Sequence, residues 1–179
     1  MTNRSSLIKF QISSAIFVII IGTILHFTYN WSKNNSFVGL FSAINESTWE
    51  HLKLLFFPML ITIIFGYFIF KDTFSNFLCS KIIGIITAML FTLIFFYTYT
   101  GIIGTNYAFA NILTFILSVI IGEYVTYILT INNFTLNKIF CISILILLTV
   151  SFFIFTFYPP KINLFKDPIN GSYGIQKNS

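Results

Sequence analysis

Charge is what this chain lacks. Only 8% of its residues are Asp, Glu, Lys or Arg, against 56% hydrophobic residues and a mean hydropathy of +0.88. A soluble domain carries about a quarter charged residues, because water must wet its surface. So few charges exclude an ordinary soluble enzyme or binding module and make lipid the solvent for most of the chain. Basic clusters are missing as well. The net charge is +5, but the ten basic residues stand singly at Arg4, Lys9, Lys33, Lys53, Lys71, Lys81, Lys138, Lys161, Lys166 and Lys177. A nucleic-acid surface gathers its bases on one face. No nucleic-acid partner is therefore expected, and the singles read as topology signals at helix ends. The sequence has no internal repeat, no linker, no phosphate-binding glycine loop, no nucleophile elbow and no redox motif. Its two cysteines, Cys79 and Cys141, lack ligand-type spacing. Each is expected to be a structural thiol near the start of an apolar segment.

What is present is a series of long apolar runs at about 10–29, 47–70, 81–99, 107–129 and 138–158. Each supplies close to the ~20 residues that span a ~30 Å hydrocarbon core. The expected fold is an all-α polytopic transmembrane bundle of about five helices, a single domain over residues 1–179. The first run follows a basic leader but is too long for a signal peptide, and no small-residue cleavage motif follows Phe27. It reads as a retained signal anchor. Pro58 is expected to kink the second run, and Pro159-Pro160 to end the fifth. With an odd number of spans the termini face opposite sides. Placing the N-terminus inside divides the bases five against five. The leader of the first helix breaks the tie. It gives a multi-pass cell-membrane protein with a cytoplasmic N-terminus, an outer C-terminus and both cysteines near the inner face.

The 30–46 loop, the 100–106 loop and the tail at 159–179 then share one face, together with Trp31 and Trp49. The densest polar stretch is Asn45-Glu46-Ser47-Thr48-Trp49-Glu50-His51-Leu52-Lys53. Its Ser47-x-x-Glu50 pattern reads as a capping box that opens the second long helix. The cap leaves His26 and His51, the only two histidines, without a role. His26 lies near the end of the first segment and His51 about one turn into the second, so both fall roughly 5 Å below one membrane surface. If those segments pack together the imidazoles can meet. Two histidines and a carboxylate are the minimum ligand set of several zinc and iron sites. The expected set is His26, His51 and Glu50 as ligands of a divalent metal such as zinc, with Glu46 as catalytic base. The spacing matches neither H-E-x-x-H nor H-x-x-E-H. Interfacial histidines bonded across helices are the plainer alternative.

Glu123 is the one acid deep inside a span. Folding the third and fourth segments about residue 103 brings it level with Ile83 and close to Lys81. A structural pair and an ion-carrying glutamate on a transport path are both open readings, because a buried acid requires a partner. Asn45 and Asp167 complete the polar candidates. Asp167 lies in a tail whose Leu164, Phe165, Ile169 and Tyr173 are too apolar to hang free. That tail is expected to fold over the shared face, where it could lid a cavity.

The stretches His26-Phe27-x-Tyr29-x-Trp31-Ser32, Val38 through Lys53, Tyr97-Thr98-Tyr99-Thr100-Gly101 and Leu164-Phe165-Lys166-Asp167-Pro168 cover much of the chain. In them the sequence resembles an uncharacterised family of small bacterial membrane proteins, most specifically at Asn-Glu-Ser-x-Trp-Glu-His. The resemblance implies a membrane protein and supplies no activity. Three functions stay open. They are a metal-dependent intramembrane hydrolase, a small transporter or permease component that would work as a homo-oligomer, and a non-catalytic membrane protein that binds a partner.

Overall fold

The computed structural model of the protein describes residues 2–175. Lys177, one of the expected outer-face bases, lies outside them. The fold is an all-α polytopic bundle. Its helices are α1 (Thr2–Trp31), the short α2 (Ser36–Gly39), α3 (Thr48–Phe70), α4 (Phe77–Ile103), α5 (Ala108–Ile131) and α6 (Lys138–Phe157), followed by a 3-10 turn at Asn163–Phe165. Five of them are long and apolar enough to cross a membrane. Among the described residues the only β pairing is an antiparallel bridge between Lys166 and Tyr173.

Two helices begin earlier than their apolar runs. The leader contains no glycine or proline, and Leu7 is fully buried against Phe70 and Phe77. That anchor carries α1 through 30 residues, about 45 Å of helix. α4 likewise takes in Cys79, Ser80 and Lys81 and runs on to Gly104, whose φ of +79° ends the helix in the left-handed region that glycine enters without strain. α3 runs through Pro58 as one continuous helix. α6 stops at Phe157, ahead of Pro159-Pro160.

α1, α3, α4 and α5 pack together, and α6 lies outside them against α4. α4 and α5 share the most extensive packing. A Cβ on Gly84 would stand 2.5 Å from the Gly122 carbonyl, and one on Gly122 would stand 2.8 Å from the Gly84 carbonyl. Small residues at such crossings let two backbones touch, which is how helices gain contact where lipid offers no hydrophobic incentive. A second cluster is aromatic. Trp49 packs against Phe152 with tilted rings 4.6 Å apart between centroids, and Phe56 against Phe152 at 4.9 Å, joining the start of α3 to α6.

The cysteines are not separate thiols. Cys79 and Cys141 form a disulfide with their Cα atoms 5.6 Å apart. α4 and α6 enter from the same face, and each carries its cysteine in its first turn, so the two sit at one level despite a sequence separation of 62.

Candidate functional site

At the end of the bundle where α1 finishes and α3 starts, His26 and His51 face each other. Their ring centroids are 5.1 Å apart and their planes near perpendicular, at 86°. Glu46 completes the group. Its Oε2 lies 3.4 Å from Nε2 of His51 and 4.0 Å from Nε2 of His26. One ligand atom from each of the three falls within 4.8 Å of the others. The side chains are about one-third exposed, at 34%, 31% and 42% for His26, His51 and Glu46. A small ion can reach them. The two imidazoles hold the Glu46 carboxyl below the ordinary carboxylate range, chiefly through the hydrogen bond to His51 and then through the charges of His51 and His26, against partial burial.

Local structure explains which glutamate joins the histidines. Ser47 is the N-cap of α3, in extended conformation, with its hydroxyl accepting from the Glu50 N–H. The reciprocal half of the expected capping box is not formed. The Ser47 N–H donates to Asn45 Oδ1 at 3.0 Å, and Glu50 turns inward. There its Oε2 accepts from Lys53 Nζ at 2.6 Å and from the Ile44 N–H at 3.1 Å. Lys53, fully buried, also donates to the Gly39 carbonyl at 2.9 Å and to Thr156 Oγ1 at 2.5 Å, so all three ammonium protons are used. Glu50 was expected as a ligand beside His51, but neighbours one residue apart point about 100° away from each other around a helix. It serves instead as the counter-ion of a buried lysine that ties α2, α3 and α6 together. Glu46 was expected as a base. It sits before the cap, where the Asn45 turn presents it to the histidines. Asn45 shapes that turn through the bond to the Ser47 N–H.

His51 is held in a defined state. Its Nδ1 lies 2.9 Å from the Ser47 carbonyl oxygen, an atom that can only accept, so Nδ1 carries the proton and Nε2 points at Glu46. Metal-binding histidines are typically oriented by this kind of bond from the other ring nitrogen to a carbonyl. The Nε2 lone pair would then be free to bind a metal. In a tetrahedral zinc site with bonds near 2.1 Å the ligand atoms stand about 3.4 Å apart. The 3.4 Å spacing from Glu46 to His51 matches this, and the 4.0 Å spacing from Glu46 to His26 is longer.

The three side chains lie at the mouth of a cavity of about 480 Å³. Gly22 and Thr23 of α1, Leu54 and Leu55 of α3, Phe96 of α4 and Phe115 of α5 form part of its walls. The tail contributes Pro168 and Ile169. It is held there in three ways. Phe165 packs on Trp49 at 4.9 Å and on Phe155 at 5.2 Å. The buried Asp167 accepts the Ile169 N–H at 2.8 Å. The Asp167 N–H donates to the Ser172 carbonyl at 2.9 Å. Asp167 thus has a turn-forming role, and it is not part of the histidine group. The wall residues Thr92, Asn111 and Thr114 escaped notice in the sequence; hydroxyl and amide side chains inside otherwise apolar spans were the available signal.

Glu123 is remote from this site. Lys81 donates to its Oε2 at 2.5 Å, and Ser14 of α1 donates to its Oε1 at 2.7 Å. Lys81 further contacts Ser14 Oγ at 3.0 Å and Gln11 Oε1 at 3.4 Å. Both charged groups are buried, and neither belongs to the cavity wall.

No curated protein and no solved structure matches this chain. The model of one family of unknown function, DUF6512, matches residues 1–175, and the chain belongs to that family.

Proposed function

We propose that this membrane protein carries a divalent-metal centre at one membrane face, with His26, Glu46 and His51 as ligands, and that the metal activates water against a substrate held in the adjoining cavity. The observation that carries this reading is the convergence of three ligand atoms within 4.8 Å, one of them on an imidazole already oriented by a carbonyl. Three protein ligands leave a fourth position for water, whose pKa a catalytic zinc lowers to about 7. Glu46 is the one carboxylate among the cavity-lining residues, so as a ligand it leaves the activation of water to the metal itself. All three ligands come from one chain, so the centre is complete without an oligomer. The transport reading has less support, because Lys81 and Glu123 satisfy each other and stand apart from the cavity.

The decisive measurement is metal content of detergent-purified protein, wild type beside His26→Ala, His51→Ala and Glu46→Gln. One metal per chain in the wild type and its loss in the variants supports the centre. A wild type that retains no metal after incubation with zinc and desalting would refute it and leave three interfacial side chains bonded across helices.

The disulfide bears on orientation. It lies at the face opposite the histidines, and disulfides persist on the oxidising side of a membrane. It favours a histidine face toward the cytoplasm, the reverse of what the basic leader suggests. Reporter fusions at the C-terminus decide between the two.

A further inference from the structure

We infer that the cavity is the berth of a single-chain amphiphile whose oxygen-bearing head group binds at His26, Glu46 and His51 and whose acyl chain lies along the helices toward Phe115. This inference rests on the metal centre proposed above and names the ligand class that centre would meet. Three observations point to it. The volume of about 480 Å³ lies in the range of sites that enclose a small molecule. The cavity is polarised. Its ionisable groups are confined to one end, while Leu54, Leu55, Phe96, Ile112 and Phe115, with the uncharged Thr92, Asn111 and Thr114 among them, wall the rest. It also runs along the helices: the α5 wall extends from Ala108 to Phe115, seven residues and about 10 Å of rise. A ligand polar at one end and apolar for about 10 Å, at the depth where a bilayer changes from head group to hydrocarbon, has the shape of a lipid-derived acyl compound. The tail fits the same occupant. Pro168 and Ile169 meet the cavity at the histidine end, where they would shield a bound head group from water.

The test uses straight-chain hydroxamates, which join a metal-binding head to an alkyl chain of chosen length. The cobalt-loaded full chain in lipid nanodiscs is titrated with the series from acetohydroxamate to octanohydroxamate, and binding is read from the cobalt visible spectrum. Long chains also partition into the bilayer, so the comparison is with cavity-filling variants that share that partitioning. Thr114→Phe fills the wall from a buried position, and Ile112→Trp fills it from a lipid-exposed one that tolerates bulk. The expected result is at least a tenfold greater gain in affinity from the shortest to the longest chain in the wild type than in either variant, with cobalt content equal in all three. Equal chain-length gains with cobalt bound would overturn the amphiphile inference and leave the metal centre standing. Failure of the wild type to bind cobalt or zinc at all would refute the metal centre, and this inference with it.

Discussion

Lys81 and Glu123 offer a sharp test of what a buried ion pair does in this bundle. Both side chains are essentially inaccessible, at 0% and 4% exposure. Replacing one partner strands the other charge, a change that costs about 3–5 kcal/mol for buried pairs. The stranded group has an escape, because it can give up its charge. For Lys81→Met, the stranded Glu123 can take up a proton, more readily as pH falls. For Glu123→Leu, the stranded Lys81 can release one, more readily as pH rises. The polar neighbours offset part of the loss, by about 1 kcal/mol each, because Ser14 still donates to Glu123 in one variant and Gln11 Oε1 still accepts from Lys81 in the other. The expectation is a loss of about 3 kcal/mol for each single variant at pH 7. Acid should relieve Lys81→Met, and alkali should relieve Glu123→Leu. The double variant Lys81→Met/Glu123→Leu should fall within about 1 kcal/mol of the wild type, because no charge is left unpaired. The assay is reversible SDS unfolding in mixed micelles at pH 5, 7 and 9. Single variants costing under about 1 kcal/mol, with additive effects and no pH dependence, would refute the pairing.

Four further outcomes follow from the same geometry. Zinc affinity should fall as pH drops, because a proton on Nε2 of His51 occupies the lone pair the metal needs; titration calorimetry from pH 8 to 5.5 measures it, and a flat profile removes His51 from the ligand set. In chelated protein the lowered Glu46 carboxyl contributes stability above the ordinary carboxyl range that is lost as pH falls through its folded value, so Glu46→Gln should flatten the acid limb of a thermal-stability profile. Phe165→Ala should free the tail, seen as lost hydrogen-exchange protection at residues 163–175 with the helices unchanged, since Phe165 packs on Trp49 and Phe155. Gly84→Val should destabilise the α4–α5 crossing by about 1–3 kcal/mol or more, because its side chain meets the Gly122 carbonyl; unfolding in mixed micelles reads it.

The five spans were legible because a bilayer demands a length and a hydropathy that little else imitates. The meeting of His26 and His51 was legible for a similar reason: helical rise converts sequence distance from a span end into depth, and two residues at one depth on consecutive antiparallel helices are neighbours. Depth arithmetic also placed Glu123 beside Lys81. What it does not supply is azimuth, the direction in which each side chain leaves its helix. The disulfide is of that kind. Cys79 and Cys141 were each seen near a helix start, but their pairing depends on α6 lying against α4, which no periodicity announces.

The two glutamates near His51 show how azimuth decides chemistry. Glu50 lies inside α3, and its direction is fixed by the helix: it faces the same side as Lys53, three residues on. Lys53 is fully buried and would be costly with no counter-charge, so Glu50 is committed to it. Glu46 lies before the cap. Its direction is set by the Asn45 turn rather than by helical phase, and that turn brings it to both histidines. Separate commitments make separate phenotypes. Removing the Glu50 carboxylate should unfold the region where α2, α3 and α6 meet and lose metal only as a consequence. Removing that of Glu46 should cost metal while the helices stay folded. If Glu50→Gln keeps its stability and loses metal, and Glu46→Gln keeps both, then Glu50 and not Glu46 faces the histidines, and the arrangement of the site described here is wrong.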